Sequence, residues 1–255
     1  MKKFRFADLD DTLFQTLEKC ATRDALEPAA YYSNGSICSY TTPAQRAFFA
    51  FASEGMTVIP TTARSLDAFR RVTLNFSGVG FTSYVVLNFG GIILQPDGSI
   101  ERDWQGRMHG LMTAALPGLQ LLAAHIDAWA EQTGYAGRTR LVEDAGTPFF
   151  IVVKDPDKIT ANLETIEREL VLPWIADGNH GYCVHRNGNN LAILPASLDK
   201  ANAVAYVTER LRRAHGEIVT FGMGDSRSDA RFMADCDYAI IPRRTQLSKL
   251  TVEAL

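Results

Sequence analysis

Two acidic segments of the chain have the residue types and spacing of a metal-dependent site. The segment DLDDT starts at Asp8, and the segment GDSRSD contributes Asp225 and Asp229; each follows an apolar run typical of a strand. Carboxylates gathered at one place repel one another and resist ionisation unless a cation is present. Because these ligands would be hard oxygen atoms with few other donors nearby, the pattern favours magnesium.

Two further polar residues could act on a phosphoryl group beside such a cation. Thr62 follows a second apolar run, and Lys200 lies near the start of a predicted helix. A hydroxyl group, an ammonium group and a magnesium ion together provide the donors and the positive charge that suit a dianionic phosphoryl group. We therefore predict phosphoryl transfer as the chemistry of this chain.

The elements that would position these residues occur in the first and last thirds of the chain. There, apolar runs alternate with segments of helical periodicity, which is typical of a parallel α/β sheet. Ligands bind beyond the carboxyl ends of strands in such sheets, so the polar loops should meet there. The middle third contains short apolar runs separated by turns, which indicate antiparallel hairpins. We expect a Rossmann-like doubly wound parallel sheet formed by residues 1–84 and 196–255, with an α+β cap domain inserted at residues 85–195.

The four polar elements, taken in order, resemble the motifs of the haloacid-dehalogenase superfamily of phosphatases. They are DLDDT, the Thr62 of VIPTTAR, Lys200, and GDSRSD. The stretch NGNNLAILPASLDKANAVAYV is similar to sugar-phosphate phosphatases with a large α+β cap, such as the sucrose-phosphate and mannosyl-phosphoglycerate enzymes. This resemblance implies magnesium-dependent hydrolysis of a small phosphorylated metabolite, in particular a sugar phosphate, through an aspartyl-phosphate.

The resemblance also implies a role for each motif residue. Asp8 would be the nucleophile, and Asp10 would protonate the leaving group and then activate water. Thr62 would bind a phosphoryl oxygen, and Lys200 would hold Asp8. The implied catalytic residues are Asp8, Asp10, Thr62 and Lys200. The implied metal ligands are Asp8, Asp10 through its carbonyl group, and Asp225, with Asp229 either binding the metal as well or orienting the site.

Four residues, Thr62, Arg64, Asn88 and Lys154, are candidates for substrate binding. Two of them also have plainer explanations. Arg64 could contact the substrate or could simply pair with a carboxylate at the strand end, and Asn88 could form a turn. Lys154 lies in the expected cap domain, where Arg138, Arg186 and Asn189 are further polar possibilities. We also hypothesise that the segment from about residue 19 to residue 41, which contains three tyrosines, lines the substrate entrance.

The composition argues against several other classes of protein. Among 255 residues, 26 Lys and Arg balance 29 Asp and Glu, so nothing suggests a nucleic-acid or membrane partner. The four cysteines have no CxxC spacing, and the five histidines share no ligand spacing. Charged residues interrupt the amino-terminal segment where a signal peptide would need an apolar run. We expect a cytoplasmic protein, whose oligomeric state the sequence does not indicate.

Two alternative functions use the same residues. A sugar phosphomutase would return the phosphoryl group to substrate instead of water. A receiver module would bind magnesium or phosphate without turnover, although paired carboxylates at Asp8 and Asp10 suit a nucleophile and an acid better than a binding protein.

Overall fold

The computed structural model describes residues 1–74 and 83–254. Within these residues, the strands are β1 Lys2–Ala7, β2 Glu27–Tyr31, β3 Ile37–Thr41, β4 Thr57–Pro60, β5 Val85–Leu87, β6 Ile92–Leu94, β7 Thr139–Asp144, β8 Thr147–Val153, β9 Tyr182–Asn187, β10 Asn190–Pro195, β11 Ile218–Met223 and β12 Tyr238–Ile240. The helices are α1 Pro43–Ser53, α2 Leu66–Arg70, α3 Arg102–Thr133, α4 Thr160–Ile166, α5 Leu172–Ala176, α6 Lys200–His215, α7 Arg227–Ala234 and α8 Gln246–Glu253. A π-helical segment, Glu167–Val171, joins α4 to α5.

The chain divides into two compact units. The first unit comprises Met1–Gln105 and Asp199–Leu255, and the second unit comprises Gly106–Leu198. Residues 85–105, which we expected in the insertion, therefore belong to the first unit. The reason is that β5 continues the main sheet, since Thr61 forms a parallel bridge with Val86 and the Thr62 amide donates to the Val86 carbonyl at 2.9 Å.

The first unit contains a parallel sheet in the order β12-β11-β1-β4. Strand β1 lies between β11 and β4, although β11 begins more than 200 residues later in the chain. The last four residues of β1 are buried, so this strand forms the centre of the core. The predicted doubly wound α/β arrangement is confirmed. Because the strands are parallel, the loops after β1, β4 and β11 all leave the same edge.

A hairpin formed by β2 and β3 was not predicted from the sequence. Its strand β3 joins the loop that follows β1, because the backbones of Tyr40 and Gln15 exchange hydrogen bonds of 2.8 and 2.9 Å. The other strand contacts the segment after α2, where Ala30 bridges Val72. This pairing explains why α2 ends at Arg70, because a residue that bridges a strand no longer belongs to the helix.

The second unit is built on an antiparallel sheet in the order β7-β8-β10-β9. Helical residues of α3, α4 and the π-helical segment pack with this sheet. Their shared core consists of Leu119, Leu122, Ile126, Ile151, Val153, Leu163, Ile166, Leu170, Val171, Leu191 and Ile193. Helix α3 runs through Pro117 without ending. Across the described residues, no helix is sufficiently long and apolar to cross a membrane.

Candidate active site

Asp8 lies immediately after β1, where its position is set from two sides. Its backbone amide donates to the Met223 carbonyl at 2.8 Å, which ties the loop to the end of β11. The Lys200 ammonium donates to its Oδ1 at 2.7 Å, and the Thr12 hydroxyl donates to its Oδ2 at 3.3 Å. Sequence reasoning did not assign a role to Thr12, although its place four residues after Asp8, in the same loop, was an available signal.

Lys200 connects two carboxylates that are far apart in sequence. Asp199 caps α6 by accepting from the Ala201 amide at 2.8 Å, and this cap places Lys200 at the first position of the helix. The Lys200 ammonium is buried and donates to Asp8 and Asp229 at 2.7 Å each. Burial lowers the pKa of Lys200, but the charges of Asp229 and Asp8 outweigh burial and raise it overall, so the lysine is a fixed cation.

The loop after β11 holds Asp229 with three hydrogen bonds. Its Oδ2 accepts from the Ser226 amide at 3.0 Å, the Ser226 hydroxyl at 2.7 Å and the Asp225 amide at 3.2 Å. Ser226 is also the N-cap residue of α7, so the same hydrogen bonds that begin this helix hold the Asp229 carboxylate. A Cβ atom at Gly224 would lie 2.3 Å from the Asp229 Cβ, so this position requires glycine.

Asp8, Asp225 and Asp229 form a buried carboxylate group. Each offers one oxygen, and the three oxygens lie within 4.8 Å of one another. Burial and the neighbouring carboxylates raise the pKa of Asp8 well above its usual value, against the opposing effect of Lys200. Burial, with the charges of Asp229 and Asp11, raises the pKa of Asp225 to about 7.

The charge of this group suits one divalent cation. When all groups are ionised, the three carboxylates and the Lys200 ammonium carry a net charge of −2. A magnesium ion would balance that charge, and its preference for hard oxygen ligands matches the donors present. The residues therefore fit the ion that the sequence predicted, with Asp8, Asp225 and Asp229 as its side-chain ligands.

Asp10 is held by Arg64 and is not part of the carboxylate group. The Arg64 Nε and Nη2 atoms donate to the Asp10 Oδ2 and Oδ1 atoms, both at 2.7 Å. Of the two explanations considered for Arg64, the structure displays the carboxylate pair. Substrate binding by Arg64 and metal ligation by the Asp10 carbonyl group remain predictions.

Thr62 and Asn88 lie where β4 and β5 end. Thr62 is buried, and its Oγ1 accepts from the Arg64 amide at 3.2 Å. Within the described parts of the chain, its hydroxyl group donates no hydrogen bond, and binding of a phosphoryl oxygen by Thr62 remains a prediction. Asn88 has a positive φ of 49° and does begin a turn, because the Gly91 backbone amide donates to the Asn88 carbonyl at 3.0 Å, which closes the 3-10 segment Asn88–Gly90. Its contact with substrate remains a prediction.

The polar candidates in the second unit are used in different ways. Arg186 pairs with Glu167 at 2.6 Å and Glu164 at 3.0 Å, which accounts for its charge. Lys154 is exposed, and partial desolvation together with the charge of Arg140 lowers its pKa. Substrate binding by Lys154 remains a prediction.

Asp11 directly follows Asp10 in the loop after β1. It adopts a positive φ of 60°, a conformation that is uncommon for residues other than glycine, and its carboxylate pairs with Lys19. The charge of Asp11 raises the pKa of Asp225, and the charge of Lys19 lowers it. Asp11 and Lys19 are therefore electrostatic neighbours of the carboxylate group, which sequence spacing gave no means of recognising.

Comparison with known proteins identifies the fold. No protein-family model and no curated protein sequence matches the chain. The structure of sucrose-phosphatase from Synechocystis sp. PCC6803, in complex with sucrose and phosphate, aligns with a TM-score of 0.53 and 16% identity over 100% of this chain and 88% of that chain. An N-terminally truncated, IMP-bound IMP-nucleotidase from Plasmodium falciparum aligns with a TM-score of 0.58 and 12% identity over 99% of this chain and 68% of that chain. The chain has the haloacid-dehalogenase fold. This haloacid-dehalogenase fold agrees with the resemblance drawn from the four motifs.

Proposed function

We propose that the protein is a magnesium-dependent phosphatase that hydrolyses the phosphate monoester of a small metabolite, a sugar phosphate in particular. The observation that carries this proposal is the buried Lys200, which bridges Asp8 and Asp229 beside Asp225. This arrangement gives a nucleophile whose orientation is fixed, a fixed positive charge and a set of metal ligands. Phosphoryl transfer depends mainly on positioning and charge neutralisation, which such a site supplies.

In the first step, a carboxylate oxygen of Asp8 attacks phosphorus, and the bond between phosphorus and the leaving oxygen breaks. Asp10 gives its proton to that oxygen, which leaves as an alcohol. In the second step, Asp10 takes a proton from water, and the resulting nucleophile attacks phosphorus. The bond to Asp8 breaks, which releases inorganic phosphate and restores both carboxyl groups.

The remaining groups of the site orient the nucleophile, bind the phosphoryl group and neutralise its charge. Magnesium held by Asp8, Asp225 and Asp229 would offset the charge on the phosphoryl oxygens. Lys200 keeps Asp8 oriented for in-line attack, and the Thr62 hydroxyl group donates to a phosphoryl oxygen.

The choice of a sugar phosphate is supported by the sequence resemblance and by the sucrose-phosphatase alignment. The IMP-nucleotidase alignment makes nucleoside monophosphates the second class to test. In both classes the scissile group is the monoester of an alcohol, so the same site residues would serve.

Phosphate release from a panel of sugar phosphates, sugar-acid phosphates, nucleoside monophosphates and 4-nitrophenyl phosphate tests the proposal. We expect turnover that EDTA removes and added magnesium restores, and that Asp8→Asn abolishes while the thermal unfolding transition persists. The exposed Asp103 provides a matched control, because Asp103→Asn should retain activity. No turnover of any ester would refute the proposal. Dependence on a bisphosphorylated activator would indicate a mutase, and stable phosphorylation of Asp8 would indicate a receiver.

A further inference from the structure

The side chain of Arg64 forms hydrogen bonds with both carboxylate oxygens of Asp10. The two donors, Nε and Nη2, lie on the same edge of the guanidinium plane, and both hydrogen bonds measure 2.7 Å. A bidentate pair of this kind restrains both the position and the plane of the carboxyl group. Among the described residues, no other side chain forms a hydrogen bond with the Asp10 carboxylate.

Arg64 is itself held in place more firmly than Asp10. Its side chain is 14% exposed, whereas that of Asp10 is 45% exposed. The guanidinium carbon lies 5.1 Å from the centre of the Phe14 ring, and Nη1 donates to the Ala68 carbonyl at 3.4 Å. The backbone amide of Arg64 donates to the Thr62 hydroxyl oxygen at 3.2 Å. Arg64 therefore fixes the Asp10 carboxylate, in the loop after β1, relative to the end of β4.

The hairpin of β2 and β3 also supports the pair formed by Arg64 and Asp10. Cys38, in β3, lies within interaction range of the Arg64 guanidinium. The next residues of β3 reach the loop itself, where the Tyr40 and Gln15 backbones are hydrogen-bonded. The hairpin thus contacts both Arg64 and the loop that contains Asp10.

We propose that Arg64 is a positioning residue for Asp10, which fixes the carboxyl group so that it can deliver a proton to the leaving oxygen. This inference rests on the proposed function and assigns Arg64 a different role from substrate binding. A proton donor must lie within hydrogen-bond distance of the leaving oxygen, and an exposed aspartate without restraint samples several side-chain rotamers. The guanidinium group removes that freedom, because its two hydrogen bonds together fix both the position and the plane of the carboxyl group.

The test compares two esters that differ in how much they need the proton. Glucose 6-phosphate has a poor alkoxide leaving group, whereas 4-nitrophenolate leaves readily without protonation. The parameter is kcat/KM, which includes phosphoryl transfer to Asp8 but excludes the later hydrolysis step. We expect Arg64→Gln to lower kcat/KM for glucose 6-phosphate about 100-fold and to change it little for 4-nitrophenyl phosphate.

Two further variants separate positioning from general damage. Arg64→Lys keeps the charge but not the bidentate geometry, so its loss on glucose 6-phosphate should be intermediate, about tenfold. In an Asp10→Asn background, Arg64→Gln should cause no additional loss, because the group that it positions is absent. Arg213, an exposed arginine that also pairs with a carboxylate, provides the matched control, and Arg213→Gln should leave both substrates unaffected.

Each outcome distinguishes the inference from the function on which it rests. Equal losses on both esters, no loss on either, or a full additional loss in the Asp10→Asn background would overturn the positioning role. If another sugar phosphate is the better substrate, it replaces glucose 6-phosphate in the comparison. If the unmodified protein hydrolyses no ester, the proposed phosphatase function fails instead. Should Arg64→Gln not fold, as judged by thermal unfolding, the comparison rests on Arg64→Lys.

Discussion

Replacing Lys200 with methionine removes the only cation that contacts the carboxylate group among the described residues. Methionine has a similar length and can occupy the same space, so the change isolates the loss of the ammonium group. Asp8 and Asp229 would each lose a 2.7 Å hydrogen bond to a charged donor while staying buried. Without a metal ion, their mutual repulsion would have no counterion.

The burial of these groups sets the size of the effect. The side chains of Lys200, Asp8 and Asp229 are 2%, 8% and 0% exposed, so solvent screens their charges weakly. Removing one partner from a buried ion pair lowers the free energy of unfolding by about 3–5 kcal/mol. For a protein of this length, such a loss corresponds to a decrease in Tm of about 10 °C.

Urea unfolding in EDTA, compared with unfolding in excess magnesium, measures this effect. We expect the full loss in EDTA and a smaller one in magnesium, because the bound cation replaces part of the missing charge. Adding Asp8→Asn to Lys200→Met should recover about 1–3 kcal/mol in EDTA, since one uncompensated carboxylate is removed. Lys249→Met is the control; this lysine is exposed and has no acidic partner in the described ranges, so its effect should stay within about 0.5 kcal/mol.

A loss of less than about 1 kcal/mol for Lys200→Met in EDTA would refute this reasoning. So would a double variant that is as unstable as Lys200→Met alone, because the destabilisation would then not arise from the uncompensated Asp8 charge.

Three further predictions concern other parts of the molecule. Gly224→Ala should weaken magnesium binding and lower the free energy of unfolding by about 1–3 kcal/mol, since the new Cβ would lie 2.3 Å from the Asp229 Cβ. Magnesium titration and urea unfolding measure both effects, and Gly110→Ala, in helix α3 with open space around it, is the control that should be neutral or stabilising. Tyr32, exposed at the hairpin, tests the entrance hypothesis: Tyr32→Ala should lower kcat/KM for the best metabolite more than for 4-nitrophenyl phosphate, and equal values would contradict a role in substrate contact. Hydrogen bonds from the Thr220 amide and hydroxyl group lower the pKa of Asp237, so the stability that Asp237 contributes is present above its unfolded-state pKa and is lost as pH falls through its folded-state pKa. Asp237→Asn should therefore flatten the acid side of a plot of unfolding free energy against pH. An unchanged slope would show that this interaction does not contribute.

Local patterns in the sequence were sufficient to predict the main sheet. Strand β1, helix α1 and the alternation that resumes at α6 depend on apolar periodicity and on helix-start residues, which are properties of neighbouring positions. The hairpin of β2 and β3 was missed because its pairing partners lie in the loop after β1 and in the segment after α2. Neither contact leaves a periodic signal within the hairpin itself.

The extent of the insertion also depended on contacts between distant residues. Residues 85–94 form an antiparallel hairpin, as the short apolar runs separated by turns indicated, and this pattern alone is typical of an α+β insertion. The bridge between Thr61 and Val86 assigns the hairpin to the first unit instead. A bridge formed by backbone atoms carries almost no information about side-chain type, so the sequence could not indicate it.

For the site, residue types and motif order were enough to nominate Asp8, Lys200, Asp225 and Asp229. The three carboxylates follow parallel strands, whose carboxyl ends lie at one edge, and Lys200 was nominated by its place in the motif order. The tertiary structure alone decided how the charges are paired. It placed Lys200 between two carboxylates and joined Arg64 to Asp10, and it gave the three carboxylates and Lys200 together a net charge suited to a divalent ion. The physical reason is that an ion pair depends on distances of a few ångströms between side chains, whereas spacing along the chain specifies only the strand end from which each side chain begins.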